Sequence, residues 1–116
     1  TAMSSNTNYE FYNAMVSYKR GEYDNALKIW KDQLRTKTEN DTLNYFVGSA
    51  LMADEQETQA IPFLQEVTTQ NQSVFTNDAW YYLGLAYLKT NEEAKAIEAL
   101  EQSDLPKAKT LLENLK

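Results

Sequence analysis

Cysteine and histidine are both missing from these 116 residues. No disulfide or thiolate is available, so the redox compartment leaves no mark on the sequence. With histidine go the imidazole general base, the usual nucleophile–base triads and nearly every zinc or transition-metal site. Glycine occurs only as Gly21, Gly48 and Gly84, too dispersed for a loop that cradles phosphate. No apolar run approaches the roughly 18 residues that a bilayer span needs. The opening residues lack the charged and apolar regions of a signal peptide. Positive charge is in deficit, with 11 Lys and Arg against 17 Asp and Glu and a formal charge of -6. That balance works against a general nucleic-acid binder.

Repetition is what the chain does contain. Ala60 and Ala96 lie 36 residues apart, each following an aromatic and apolar stretch and a short polar turn, and Ala26 sits 34 residues before Ala60. A period of this length predicts helical pairs that bury their apolar faces by stacking on one another. The clearest copy runs from Asn77 to Lys89, where Trp80, Leu83, Gly84 and Tyr87 recur at helical intervals. Asn77 is expected to cap this helix, Trp80 to be its core wedge, and Asn91 to end it in the left-handed conformation. A second helix follows to about Gln102, with Ala96, Ile97 and Leu100 inward.

The middle copy predicts a helix over about 41–53, carrying Tyr45, Phe46, Val47, Gly48 and Leu51. Its partner helix carries Ala60, Ile61, Leu64 and Val67. Pro62 removes an amide donor there and marks either a late start or a bend. In the first copy Phe11, Ala14 and Tyr18 keep the packing interval, Gly21 supplies the turn, and Ala26, Leu27 and Trp30 face back. Residues 1–8 read as a flexible polar lead, and 103–116 as an amphipathic helix, capped by Ser103 or Asp104, that closes the stack. Continuation of that helix into further repeats is the other reading. The expected domains are three repeats (9–39, 40–74 and 75–102) and the terminal helix.

These residues resemble the tetratricopeptide repeat family. Trp80, Leu83, Gly84, Tyr87, Ala96 and Leu100 match its pattern in the third copy, and Gly21, Tyr23, Ala26 and Trp30 in the first. The second matches at Val47, Gly48, Ala60, Leu64 and Val67, with Asn44 at the family's Trp position. Aligning Phe11 and Tyr18 requires a one-residue offset in the first copy. The resemblance implies an all-α, right-handed superhelical stack of antiparallel helix pairs, about seven helices in all. It names a scaffold and no activity.

In such a stack the first helix of each pair lines the concave side. The resemblance places Tyr12, Val16 and Lys19 there from the first repeat, Tyr45, Ser49 and Met52 from the second, and Tyr81, Leu85 and Lys89 from the third. Tyr12, Tyr45 and Tyr81 are read as one repeated position, suited to a peptide because a phenol combines apolar area with a hydroxyl. Some members clamp a C-terminal carboxylate with a Lys/Asn/Lys/Arg set. Here Tyr12 and Val16 occupy the first two of those places, which disfavours that ligand.

Catalysis has little to draw on. Glu55, Glu57, Glu92 and Glu93 fall at turns and helix starts, where compensation of the helix dipole and solubility account for them. No calcium-loop spacing occurs. The expectation is no enzyme, no cofactor and no metal. The leading function is a scaffold that binds a peptide or protein segment in its groove, without nucleic acid and without membrane insertion by this segment. The alternative is an assembly module, working through homo-oligomerisation or packing within a larger, envelope-associated parent. The cytoplasm is the default location, and a periplasmic or membrane-tethered parent fits the same features.

Overall fold

The computed structural model describes residues 2–70 and 72–116, and within them every regular element is a helix. These are α1 (Ala2–Lys19), α2 (Tyr23–Leu34), α3 (Asp41–Ala53), α4 (Glu57–Thr68), α5 (Thr76–Lys89), α6 (Glu93–Gln102) and α7 (Pro106–Leu115). Each packs chiefly on the helix before and after it in sequence, and α3 also meets α5 directly. The product is elongated, 51 × 28 × 21 Å.

Three turns of one construction set the repeat. Gly21, Glu55 and Asn91 all have positive φ, at 80°, 61° and 64°. In each turn the next amide reaches back to the final turn of the first helix, Glu22 N to Ser17 O, Gln56 N to Leu51 O and Glu92 N to Tyr87 O, all at 2.8 Å. A second amide bond lies inside the first, from Gly21 to Tyr18, Glu55 to Met52 and Asn91 to Leu88. This is the paired-bond helix ending that a left-handed residue makes possible, satisfying carbonyls the helix leaves unbonded. Asn91 therefore ends its helix as the sequence implied. Glu55 does the same without the conformational freedom of glycine.

Counting from these turns aligns the core. Ala26, Ala60 and Ala96 coincide and are all fully buried. Trp30, Leu64 and Leu100 coincide nine residues after the turn residues, Leu64 facing Gly48 and Leu100 facing Gly84, where the first repeat has the buried Ala14. A Cβ added at Gly48 would lie 2.7 Å from Leu64, and one at Gly84 would lie 2.6 Å from Leu100. The repeat thus trades bulk on one helix against its absence on the other.

Four expectations change. The helix of the first copy begins at Ala2, not Tyr9, so most of the anticipated lead continues α1; Thr1 lies outside the described residues. No proline or glycine interrupts residues 2–8, and extending an existing helix is far cheaper than starting one. Pro62 does not mark a late start, because α4 already begins at Glu57 and runs through Pro62 to Thr68. Pro62 and Thr58, whose carbonyl loses its amide partner, are both on the solvent side, where water can replace the bond. Trp80 is only partly buried, whereas Trp30 is completely enclosed by rings from α1 and α3: Phe11, Tyr18 and Phe46, at 5.8, 5.7 and 5.5 Å. The core wedge is Trp30.

Asn77 is the fourth. It lies inside the first turn of α5, one residue past its start, and its side chain accepts from the amide of Asp104 at 3.0 Å. Its carbonyl accepts from the Ser103 hydroxyl at 2.9 Å. Asp41, 14 residues before its turn as Asn77 is before the next, receives the Ser73 hydroxyl at 2.6 Å. Side-chain bonds at the starts of α3 and α5 therefore latch one repeat to the segment that follows. Asn44, which replaces the family's Trp, is buried and donates to the carbonyls of Thr38 and Asn40 at 3.0 and 2.8 Å. It holds the polar linker that precedes its helix.

Candidate functional site

A trough of about 500 Å³ opens between the first helices of the three pairs. Tyr18, Met52, Tyr82, Leu85 and Leu88 give it an apolar lining, with Ser49 and Ala53 between them and Glu57 and Lys89 at its edge. These side chains converge because α3 touches α5 directly and because residues three and four apart share a helix face. Ser49, Met52, Leu85 and Lys89, four of the nine groove residues expected from sequence, lie together in it.

The other five are placed differently. Tyr12 and Val16 stand on the outward side of α1, 64% and 48% exposed. Tyr12 borders a separate, smaller cleft with Gln33, Lys37, Asn40 and Leu43, at the edge of the stack. Lys19 is exposed at the end of α1 and does not line the trough. Measured back from the turns, the groove positions expected in the first repeat fall one residue later than those in the second. Phe11, Tyr45 and Tyr81 share a position, and so do Tyr12, Phe46 and Tyr82. In that register Phe11, Met15 and Tyr18, all partly buried, stand where Tyr45, Ser49 and Met52 stand in repeat two; of the three, Tyr18 lines the trough and Phe11 borders the same cleft as Tyr12. Adjacent aromatics at 11 and 12 made either choice plausible by residue type. The turn at Gly21 was the available ruler, since the helix between is unbroken.

Tyr45 and Tyr81 belong to a file of rings that runs beside the trough. Tyr45 stacks on Phe75 at 4.4 Å and 13° and lies 6.2 Å from Tyr82. Phe46 joins that group to Phe11 and Trp30. Tyr81 carries the Lys107 ammonium 4.6 Å from its ring centre, and Tyr82 shares it at 5.9 Å. This is a cation–π contact that ties the start of α7 to α5. Burial pushes the Tyr45 phenol well above the usual tyrosine range, with Tyr82 and Asp78 adding to the shift. Tyr18 is raised as well, by burial first and then by Tyr82 and Tyr23. Both side chains are neutral, amphipathic surfaces at physiological pH. Among the described residues no three acidic side chains gather in a way that could hold a metal ion, and no helix is long and apolar enough to cross a membrane.

Comparison with known proteins agrees with this geometry. A tetratricopeptide repeat family model matches residues 78–103. No curated protein matches the sequence. Among solved structures, the N-terminal domain of stress-induced protein-1 from C. elegans superposes with a TM-score of 0.84 at 15% identity, covering 99% of this chain and 98% of that one. The Yersinia enterocolitica type III secretion chaperone SycD, in complex with a peptide of the translocator YopD, also gives 0.84 at 15% identity, over 96% of this chain and 92% of that one. MamA is more similar in sequence, 29% identical with a TM-score of 0.75 over 86% of this chain, and the match spans 57% of that chain. The chain therefore has the tetratricopeptide repeat fold throughout, and residues 78–103 are a tetratricopeptide repeat by sequence as well.

Proposed function

We propose that this protein is a non-catalytic interaction module that takes a peptide or protein segment in the trough between α1, α3 and α5. The trough itself is the observation that carries the reading: Tyr18, Met52, Tyr82, Leu85 and Leu88 leave apolar surface accessible on one side of a preformed helical frame. Apolar and aromatic anchors in a concave, largely rigid site supply most of the affinity in peptide recognition. Glu57 and Lys89 at the edge select orientation more than they add affinity. Support also comes from SycD, a chaperone of the same fold that was solved with a peptide.

The partner is not a carboxylate-terminated tail held by a basic clamp. In the register set by the turns, Phe11 and Met15 occupy the first two places where the family resemblance would require Lys and Asn. An apolar segment suits these walls better. The test is a screen of immobilised peptides against the intact chain, repeated with Leu85→Glu and Met52→Glu. Each variant sets a charge in the trough on a side chain that is only partly buried. Binding that disappears in both variants while their melting curves stay close to that of the parent supports the reading. Binding that both variants retain places the partner elsewhere.

A further inference from the structure

The segment leading into α7 is laid along α5. The Ser103 hydroxyl donates to the Asn77 carbonyl at 2.9 Å, and the Asp104 amide to the Asn77 side-chain oxygen at 3.0 Å. Pro106 then opens α7, its fixed φ already suited to a first helical turn. Lys107 comes next, with its ammonium 4.6 Å from the ring centre of Tyr81 and 5.9 Å from that of Tyr82. Tyr81 lies one helical turn beyond Asn77, so the contacts follow one another along α5. The body of α7 packs on α6, while its first turn reaches back across to α5. Lys107 forms no ion pair among the described residues, and its charge rests against the two rings. Tyr82 is thus at once a ring beneath Lys107 and a wall of the trough.

We propose that α7 is a strap that sets the trough, with Lys107 as the positioning residue that holds its Tyr82 wall. This rests on the trough being the binding site and concerns what regulates it. Tyr81 and Tyr82 are only partly buried, 5.7 Å apart, and Tyr82 lies 6.2 Å from Tyr45. A half-buried tyrosine on a helix has more than one staggered orientation open to it. A cation drawn to the ring faces favours the orientation in which both rings meet it. With the strap down, the apolar wall is preformed, and a partner orders little as it enters. With α7 lifted, or the Lys107 charge neutralised, a partner must first fix Tyr82, and its affinity falls. The trough is thereby tuned from a residue that does not line it.

Two measurements separate the strap from the site. Methyl-resolved NMR of the intact chain reads the wall without any partner, since ring currents from Tyr82 bear on the trough methyls of Met52, Leu85 and Leu88. Lys107→Met keeps the apolar stem and removes the charge. It should shift those methyl resonances and leave the helical melt close to the parent's, because Lys107 is exposed. Lys107→Arg, which preserves the cation, should restore them, and Lys109→Met, at an exposed site of the same helix, should not disturb them. A fluorescein-labelled leucine- and valine-rich peptide then reads binding. Its dissociation constant should be roughly two- to fivefold higher for Lys107→Met than for the parent or Lys107→Arg. Trough methyls that do not move in Lys107→Met, or that Lys109→Met moves equally, overturn the strap. So does a peptide that the parent and Lys107→Met bind equally well. A peptide that the parent itself fails to bind tells against the trough as a site, and the methyl resonances alone then decide the strap.

Discussion

At the residue scale, the two indoles make opposite predictions. Trp30 is fully enclosed and its Nε1 donates to the Phe11 carbonyl at 3.3 Å. Trp30→Ala should therefore cost about 3–5 kcal/mol in a denaturant melt, by lost transfer energy and the cavity left among Phe11, Tyr18 and Phe46. Trp80→Ala should cost clearly less, since its ring is only partly covered. Equal losses would mean the burial is misassigned. Tyr45 gives a pH-dependent signature. Its pKa is raised above 10.0 by burial, so the folded chain holds the phenolic proton more tightly than the unfolded one. Stability should be unaffected below about pH 10, fall as pH rises above it, and level off once the folded phenol ionises. Tyr45→Phe should flatten part of that fall in urea melts at alkaline pH. An unchanged slope would assign the loss to other groups.

At the element scale, the turns are the governing feature, and one of them is strained. Glu55 adopts the left-handed conformation that costs a residue with a Cβ about 1–2 kcal/mol, offset in part by the greater freedom glycine has when unfolded. Glu55→Gly should raise stability by about 0.5–1 kcal/mol, read as a shift in denaturation midpoint without a change in slope. A loss would show that the carboxylate contributes more than its backbone costs. Ser103 makes the complementary case at the other end. It is buried, donates to the Asn77 carbonyl and accepts from the Leu105 amide at 3.2 Å, so Ser103→Ala should cost about 1–3 kcal/mol by leaving both groups unpaired. Helix number, the turns at Gly21 and Asn91 and the inward Ala26, Ala60 and Ala96 were legible in sequence, because each follows from a local rule about periodicity or backbone freedom; the turn at Glu55 carries no such signal. What was not legible depended on neighbours distant in sequence. The enclosure of Trp30 requires α3, the role of Asn77 requires the loop before α7, and Asn44 is explained only by the carbonyls of its linker. Tyr18 of the trough escapes notice for another reason, a one-residue offset in a stretch where Phe11 and Tyr12 offer the same chemistry.

At the scale of the whole molecule, the trough is one face of a frame in which helices stack in sequence order. Leu85→Glu should accordingly abolish peptide capture without shifting the helical melt, since the side chain is only partly buried. The frame itself has a kinetic consequence. Because nearly every helix meets only its neighbours in sequence, contacts form between segments already close along the chain. Little loop-closure entropy is spent before they stabilise one another, which is the condition for folding in microseconds to milliseconds. The same arrangement lets an end open alone. The α7 helix is held mainly by α6, the Lys107 contact and the Ser103 latch, so its amides should exchange with solvent well ahead of those in α3 and α4. Such a molecule loses order one helix at a time, from its ends inward, and a partner seated across α3 and α5 would slow that unravelling at a distance from the helices that fray.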